Sequence, residues 1–382
     1  MKKPVHLIAT VYLVLVLAAT AQVVWLGMNQ GKVKDRVTYK YNNYIIFQQS
    51  FHHLMEGKDL YKTYPHVYAD LFKYSPTFAL LFGIFAFIPP AAGLFFWNLL
   101  NAFLLLYAIL LLPKPELKWK IGMLWFMLPE LMTSIQNSQS NALIAGMIIL
   151  SFALLERDRY FLACMSLILA VFIKPFAVAG IVLFLLYRGK GRLAGYTAFW
   201  FLCFLLLPLI IIDLPSLGFH YRKWMDLLGT DYSNYYGISV MGLLYSWFGV
   251  GVNKAIVILA SWGLFMIPLV RIKRYTDPAF RLAILSSLLL WVVIFNHKAE
   301  SPTFIIAISG VAIWFLSRPI TRVNTVLAVL AMVFTSLSVT DLFPVSIRDG
   351  FFVPYCIKAL PCLLIWFKIL YDLTFSNESI RQ

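Results

Sequence analysis

Long apolar runs separated by short polar stretches follow one another along the whole chain. Most runs have about 15–25 residues, the length that a helix needs to cross a hydrocarbon core roughly 30 Å thick. They lack the two-residue alternation that is typical of membrane β-strands. The pattern therefore predicts an all-α, polytopic integral membrane protein with about 11–13 transmembrane helices.

The positions of these runs set the order of the predicted helices. They fall at about 5–28, 76–88, 91–112, 120–134, 139–155, 160–188, 193–212, 254–270, 279–296, 302–317, 322–340 and 352–371. A proline after Lys174 divides the 160–188 run, which is either one kinked span or two short ones. Counted once, it gives about twelve spans with both termini cytoplasmic. On that count Lys114, Lys118 and Lys120 fall outside, against the preference of basic residues for the cytoplasmic side.

Two polar stretches, 29–75 and 213–237, are long enough to form loops outside the membrane. Lys2 and Lys3 at the start of the chain put the first loop on the extracytoplasmic side. Apolar residues within this loop recur at three- and four-residue spacing, which predicts a helix lying in the membrane interface: Tyr44, Phe47, Phe51, Leu54 and Met55. No internal repeat or flexible linker interrupts the chain, so residues 1–382 are predicted to form a single domain.

Composition excludes a soluble protein and narrows the range of partners. Apolar residues make up 61% of the 382 residues and charged residues 13%, against about 25% charged in soluble domains. The formal net charge of +15 comes from short Lys and Arg clusters at the ends of apolar runs, without a continuous basic stripe. Such clusters are typical of topology signals and of contact with anionic headgroups. Membrane lipids are therefore predicted partners, and nucleic acid is not.

Polar residues within or beside apolar runs are the candidates for chemistry, because they are costly in hydrocarbon. Lys174 stands within such a run, where its ammonium is suited to meet a lipid-linked phosphate. Its alternatives are snorkelling to the interface, or bonding a carbonyl that the proline kink frees. Gln139 and Asn141 belong to a dense amide group between two apolar runs, where they either bind a substrate or join neighbouring helices.

Two further polar groups lie in the predicted outer loops. His297, Lys298 and Glu300 offer a proton carrier and a phosphate partner, or alternatively form a solvated loop with an internal ion pair. Arg222 lies among aromatic residues, a mixture that suits sugar stacking and also any membrane interface. The cysteines and histidines lack metal-ligand spacing and no nucleotide-binding motif occurs, so neither a metal nor another cofactor is predicted.

Short motifs between Gly57 and Asn101 carry a family resemblance. The chain reads Gly-Lys-Asp-Leu-Tyr from Gly57, then Tyr-Ser-Pro from Tyr74, then a proline pair followed by Trp97 and Asn101. In this order the elements are similar to the G-x-x-LY, Y-x-P and P…W-x-L-x-N motifs of glycosyltransferase family 87, and the similarity extends weakly over most of the chain. The resemblance implies a GT-C-type enzyme that takes mannose from a polyprenyl phosphate, with interfacial helices of the first loop above its active site.

The resemblance also implies roles for individual residues. Lys174 matches a Lys-Pro pair of the family. Gln139 and Asn141 match its GQ-x-N element, with a serine in place of the glycine. The predicted substrate-binding residues are thus Lys174, Gln139, Asn141, Arg222, His297, Lys298 and Tyr74.

The position of the catalytic base departs from the family pattern. The family is expected to use an aspartate fourteen residues before the G-x-x-LY glycine, with an aromatic residue four positions after it. Here that position is Asn43, followed by Phe47, and an amide does not accept a proton near neutral pH. The catalytic candidates are therefore Asn43, as a residue that positions the acceptor, and Asp35 or Glu300 as a relocated base.

These features predict a glycosyltransferase that moves a sugar from a polyprenyl-phosphate donor to a glycolipid or glycan acceptor. Its active site is expected on the extracytoplasmic side of a bacterial cytoplasmic membrane. One alternative is a transporter or flippase of lipid-linked saccharides, which needs a similar lining without a base, and another is a non-catalytic scaffold of polysaccharide assembly. Transporters often show two matching halves, and the motifs between Gly57 and Asn101 have no second copy.

Overall fold

The computed structural model describes residues 2–28, 39–230 and 236–376, and within these ranges every regular element is a helix. The first half forms α1 (Lys2–Met28), α2 (Asn42–Met55), α3 (Pro76–Leu81), α4 (Gly83–Ala86), α5 (Pro90–Leu111), α6 (Leu117–Phe126), α7 (Leu128–Gln136), α8 (Asn141–Leu155) and α9 (Tyr160–Ile173). A helix of the tighter 3-10 type follows at Pro175–Leu186, and we call it the long 3-10 helix.

The second half continues with α10 (Lys190–Leu206), α11 (Leu214–Thr230), α12 (Val240–Phe248), α13 (Lys254–Met266), α14 (Pro278–Ile294), α15 (Phe304–Ser317), α16 (Arg322–Leu330), α17 (Val345–Ile347) and α18 (Leu360–Phe375). Local sequence explains where α14 begins. The carboxylate of Asp277 accepts a hydrogen bond from the backbone N–H of Ala279 at 2.8 Å. Pro278 occupies the first helical position, where its missing N–H costs nothing.

Within the described ranges, three helices are long and apolar enough to cross a membrane: Lys3–Gly27, Pro90–Leu111 and Lys190–Ile210. A fourth candidate is the pair Val345–Phe352 and Ile357–Phe375, which is bent by 75°. Shorter apolar helices of 10–17 residues lie at Asn141–Leu155, Tyr160–Ile173, Pro175–Leu186, Lys254–Val270, Pro278–Ile294, Ser301–Ser317 and Arg322–Leu337. The chain is a helical, polytopic membrane protein, as predicted. The number of about 11–13 spans stays a prediction.

The interior is built around helices that are apolar on every face. Nearly all side chains of α8, α14 and α15 are buried, as expected for helices surrounded by other helices. α8 packs against α5 and α9, while α15 packs against α14, α6 and α8. α14 and α15 pack tightly at Gly310, where a Cβ would lie 2.7 Å from the carbonyl oxygen of Ser286. The absence of a side chain at Gly310 therefore permits this close packing.

The two ends of the helix bundle differ in chemistry. At one end, which we call the Glu156 end, the Glu156 carboxylate accepts hydrogen bonds from Arg281 Nε at 2.5 Å and from Arg281 Nη2 at 2.8 Å. Arg318 pairs with Asp372 at 3.1 Å at the same end. The opposite end, where α8 begins and α9 finishes, we call the Glu300 end, after a residue in the turn between α14 and α15.

The segment predicted as a helix at 76–88 does not cross the bundle. It forms α3 and α4, of six and four residues, and six helical residues extend only about 9 Å. The hydroxyl of Ser75 donates to the carbonyl oxygen of Phe172, near the end of α9. The hydroxyl of Thr77 donates to the carbonyl oxygen of Phe204 at 2.6 Å. The segment therefore stays at the Glu300 end, and α5 starts the next crossing from there.

The 160–188 run makes two crossings, the second of the alternatives that the sequence left open. α9 ends at Ile173, Lys174 is extended (φ −134°, ψ 111°), and the long 3-10 helix then returns to Tyr187. The Tyr187 hydroxyl donates to the Glu156 carboxylate, which places this turn at the Glu156 end. Pro175 explains the break, because proline lacks an N–H and disfavours helical geometry in the residue before it.

The number of crossings stays the same, because the 76–88 segment removes one predicted crossing and the 160–188 run adds one. The end of the bundle at which Lys114, Lys118 and Lys120 lie does change. Lys120 Nζ donates to the carbonyl oxygen of Leu110 at 3.2 Å, near the end of α5, and its ammonium lies near Arg157. Lys114 and Lys118 flank the same turn. The prediction that puts this cluster on the same side as the first loop is wrong, because it counted 76–88 as a span. The cluster lies at the Glu156 end with the other basic loops.

Position 118 is therefore a test of the topology. In a cysteine-free variant of the protein, we expect Lys118→Cys and Lys190→Cys to react with an impermeant thiol reagent from one side of the membrane. We expect Lys62→Cys to react only from the other side, because the first loop lies at the Glu300 end. Sealed vesicles of both orientations provide the measurement. Reaction of positions 118 and 62 from the same side would contradict this arrangement.

Candidate functional site

The dense amide group forms a tight turn between α7 and α8, and α5 holds that turn. Trp97 Nε1 donates to the carbonyl oxygen of Ser138 at 3.0 Å. Asn101 Oδ1 accepts from the backbone N–H of Leu143 at 3.0 Å, and Asn101 Nδ2 donates to the carbonyl oxygen of Trp97 at 2.9 Å. Trp97 and Asn101 are the polar residues of the W-x-L-x-N motif. The motif therefore positions the amide turn and the first residues of α8.

Four predicted site residues form one hydrogen-bonded series, which we call the polar chain. Lys174 Nζ donates to Asn141 Oδ1 at 2.6 Å, and Asn141 Nδ2 donates to Gln139 Oε1 at 2.5 Å. Gln139 Nε2 then donates to Glu300 Oε2 at 2.7 Å. Each amide accepts on the ammonium side and donates on the carboxylate side. Two amides thus connect a cation to an anion that come from separate segments of the sequence.

The members of the polar chain differ in exposure. Asn141 is completely buried, Lys174 and Gln139 are half-buried, and Glu300 is exposed. An ammonium in this setting is partly desolvated, so a phosphate that reached it would form a strong, charge-assisted hydrogen bond. The exposed carboxylate is free on its outer side to meet a polar ligand. The arrangement offers a cation and a base within one connected site.

Tyr74 lies beside the cation of the polar chain. Its ring centre is 5.9 Å from Lys174 Nζ, and the ring packs edge-on against Phe47 at 4.8 Å. The Tyr61 hydroxyl donates to the carbonyl oxygen of Tyr74 at 3.0 Å, so the G-x-x-LY element supports the Y-x-P element. Burial raises the pKa of the Tyr74 hydroxyl, and the Glu300 carboxylate acts in the same direction. The hydroxyl therefore stays protonated.

Asn43 lies at the start of α2, next to the amide turn. Its Nδ2 atom donates to the carbonyl oxygen of Asn137 at 2.9 Å. Phe47, one turn later, is buried among Tyr74, Phe78 and aromatic neighbours from α3 and α5. The helix predicted from the apolar spacing thus brings Asn43 to the Glu300 end. Asp35, the other candidate base in the first loop, falls outside the described residues.

His297 and Lys298 lie in the turn that carries Glu300. The backbone N–H of Lys298 donates to Asn296 Oδ1 at 2.9 Å, which shapes the turn. Gly237 packs against its outer side with a φ of 60°, and a Cβ there would lie 2.5 Å from the carbonyl oxygen of His297. Only glycine fits such a contact in that conformation without strain. The segment after the second polar loop therefore fixes this turn.

The structure does not bring Arg222 to the polar chain. Arg222 is exposed on α11, and its Nε atom donates to the carbonyl oxygen of Gly218 one turn earlier, at 3.2 Å. α11 itself is attached to the first loop through Trp224, whose Nε1 atom donates to the carbonyl oxygen of Lys73 at 3.3 Å. A role for Arg222 in substrate binding stays a prediction.

Sequence reasoning missed an apolar groove that begins beside Lys174, which we call the first groove. It is a cavity of about 620 Å³ between the long 3-10 helix, α13 and α14. Its lining includes Phe176, Trp262, Trp291, Phe295, Asn296 and His297. The ring centre of Phe176 is also 5.9 Å from Lys174 Nζ. Because three distant segments line the groove, no local pattern pointed to it.

Sequence reasoning also missed a buried ion pair behind Glu300. Lys358 Nζ lies 2.6 Å from Glu130 Oε1 and donates to Ser301 Oγ at 2.9 Å. The Lys358 side chain is 2% exposed and the Glu130 side chain is fully buried. The pair attaches the residue after Glu300 to α7 and to the start of α18. The sequence contains a signal for this pair, because Glu130 and Lys358 are charged residues within or beside apolar runs.

The polar chain yields a stability prediction for Asn141. Asn141→Ala removes the amide between Lys174 and Gln139 and leaves the half-buried cation of Lys174 without that acceptor. We expect the free energy of unfolding to fall by about 1–3 kcal/mol. Reversible unfolding in mixed micelles measures this, with Asn137→Ala as the matched control. The exposed amide of Asn137 bonds only one turn back, to Thr133. Equal losses in both variants would count against a connected polar chain.

Comparison with known proteins assigns the family. No curated protein matches the chain at a significant level. A sequence model of glycosyltransferase family 87 matches residues 72–296, which is more than half of the 382-residue chain. The matched region begins just before Tyr74 and ends at Asn296, so it contains the amide turn, Lys174 and the lining of the first groove except His297. The chain belongs to glycosyltransferase family 87, and it is a membrane glycosyltransferase.

Proposed function

We propose that this enzyme transfers a sugar, mannose by analogy with its family, from a polyprenyl-phosphate donor at the Glu300 end. The observation that carries the proposal is the first groove, whose lining residue Phe176 also contacts the partly desolvated ammonium of Lys174. An amphiphilic donor needs an apolar site for its chain and a cation at the point where the chain meets its phosphate. The groove offers the apolar site, and Lys174 offers the cation at the end of the groove where the phosphate would lie.

The groove suits a chain that stays in the membrane. Its lining is almost entirely apolar and aromatic, with Asn296 and His297 as the polar residues at the Glu300 end. Val178 and Leu259 of the lining are 50% and 69% exposed, so the groove is open sideways toward the hydrocarbon. Lateral entry lets the polyprenyl chain reach the site without leaving the bilayer. Burial of apolar surface then contributes to binding.

We propose Lys174 as the group that binds the donor phosphate. Within the described part of the chain, its ammonium donates one hydrogen bond, to Asn141 Oδ1, and lies near the rings of Tyr74 and Phe176. An ammonium carries three donors, so two remain for phosphate oxygens. As the bond between the sugar and the phosphate breaks, negative charge grows on the departing phosphate. A fixed cation at that position lowers the barrier.

We propose Glu300 as the base. Its carboxylate accepts hydrogen bonds from Gln139 Nε2 and, in a capping box, from the backbone N–H of Thr303, and the residue is exposed. The oxygen of an acceptor hydroxyl attacks the anomeric carbon, and the proton of that hydroxyl passes to Glu300. The bond from the anomeric carbon to the phosphate oxygen breaks, and polyprenyl phosphate leaves with the electron pair. In this scheme Asn43 positions the acceptor, and Asp35 is the alternative base.

Charge distribution supports an extracytoplasmic site within one GT-C-like domain over residues 1–382. Among the described residues, exposed basic side chains are more numerous at the Glu156 end than at the Glu300 end. The Glu156 end carries Lys3, Lys114, Lys118, Arg157, Arg159, Arg188, Lys190, Arg192, Lys273 and Arg322, whereas the Glu300 end carries Lys40, Lys58, Lys62, Lys73, Arg222 and Lys223. Basic loops stay in the cytoplasm, so the Glu300 end faces outward. We therefore propose a bacterial cytoplasmic membrane enzyme whose acceptor is an extracytoplasmic glycolipid or glycan. The amide at Asn43 is the one observation that favours a non-catalytic scaffold instead.

Lys174→Met tests donor binding. Loss of one charge-assisted bond costs about 1.5–3 kcal/mol, so we expect donor affinity to fall roughly ten- to a hundredfold. Equilibrium binding of polyprenyl-phosphate mannose to the purified protein measures the effect. Lys73→Met is the matched control, since Lys73 lies at the same end, is 43% exposed and pairs with Asp70. Equal affinity of the two variants would remove Lys174 from the donor site.

Glu300→Gln tests the base. We expect turnover to fall by about 10²–10⁴ with little change in donor affinity, because the amide keeps the bond to Gln139 but accepts no proton. Product formation by mass spectrometry is the measurement, and Glu56→Gln is the control, because Glu56 is an exposed carboxylate paired with Lys58. Full turnover in Glu300→Gln and its loss in Asp35→Asn would identify Asp35 as the base. A parent without activity that Asn43→Asp activates would support the scaffold.

A further inference from the structure

A second apolar groove lies on the other side of the long 3-10 helix. It is a cavity of about 540 Å³ between α9, the long 3-10 helix and α10, and we call it the second groove. Its apolar lining includes Val171, Phe184, Leu193 and Phe201. Ala194 and Ala198 are small residues of α10 that leave the space open. A groove of this kind facing hydrocarbon is filled by the chain of a lipid rather than by water.

The second groove ends at a cluster of cations. Lys190 is part of its lining, and Arg188 and Arg192 flank Lys190 on the exposed turn at the Glu156 end. Among the residues that the structure describes, none of these three has a carboxylate within ion-pair distance. The nearby Asp158 carboxylate accepts a hydrogen bond from the Tyr160 hydroxyl at 2.9 Å. The mouth of the groove is therefore strongly positive.

The backbone adds to this positive potential. α10 starts at Lys190 and has 17 residues, so the positive end of its dipole lies at the mouth of the groove. Its N-cap residue is Gly189, which has no side chain to cap the free N–H groups of the first turn. An oxyanion is the natural partner of such N–H groups. Cations, free amides and an apolar groove thus meet in one place.

We propose that the second groove binds an anionic phospholipid, with one acyl chain between α9 and α10 and the phosphate at Lys190, between Arg188 and Arg192. The complementarity of charge selects this occupant, because a zwitterionic lipid brings its own cation to a mouth that is already positive. This headgroup site is distinct from the phosphate site proposed at Lys174, which lies at the opposite end of the bundle. The proposal is independent of the glycosyl transfer.

Native mass spectrometry of the purified protein tests the proposal. The protein is mixed with equal amounts of dioleoyl phosphatidylglycerol and dioleoyl phosphatidylcholine, and the retained lipid is counted for each variant. We expect the parent to retain phosphatidylglycerol preferentially. The triple variant Arg188→Gln, Lys190→Gln, Arg192→Gln is expected to retain at least about tenfold less, given the attraction of each basic residue to anionic headgroups.

Two further variants separate this site from general charge attraction. The matched control removes three exposed cations from the same end, by Lys114→Gln, Lys118→Gln and Lys273→Gln, and is expected to retain phosphatidylglycerol like the parent. Ala198→Trp fills the groove without changing charge and is expected to reduce retention as the triple variant does. Equal retention of the two lipids by the parent, equal loss in the control, or full retention by Ala198→Trp would each overturn the proposal.

Discussion

Amide groups in a membrane protein need hydrogen-bond partners within the protein, because hydrocarbon supplies none. This constraint governs the turn between α7 and α8, where Trp97 and Asn101 satisfy the backbone while Gln139 and Asn141 satisfy each other. With this bond in place, the carbonyl oxygen of Asn141 and the amide nitrogen of Gln139 are turned away from each other, toward the two ends of the series. Lys174 takes the acceptor and Glu300 takes the donor. The position of each charged group thus follows from the hydrogen bonds of two neutral ones.

The charged residues divide into those that hold the bundle and those that remain available to ligands. Glu130 and Lys358 are paired and buried, and breaking a buried pair by removing one partner typically costs about 3–5 kcal/mol. Lys174 and Glu300 are separated by two amides and so keep part of their hydrogen-bonding capacity. A lysine and a glutamate therefore stabilise the bundle where they pair directly with each other. Where amides separate them, they remain able to bind a ligand.

Sequence reasoning found the helix type, most helix positions and the residues of the polar chain, because burial imposes a pattern on neighbouring positions. It placed 76–88 across the membrane because an apolar run does not show what its residues will contact in the fold. The hydrogen bonds of Ser75 and Thr77 that hold this segment at one end are made to residues far along the chain. The first groove was missed for the same reason. Asn43 illustrates the opposite case, since its spacing from Gly57 singled it out in the sequence, and the structure then places it beside the amide turn.

The long 3-10 helix has a consequence for the space around it. With a rise of about 2.0 Å per residue, its 12 residues extend roughly 24 Å, whereas an α-helix of that length extends roughly 18 Å. The added length is gained by making the helix thinner. Val178, Ile181 and Leu185 consequently line both grooves, so the partition between them is a single layer of side chains. Any widening of one groove takes its volume from the other.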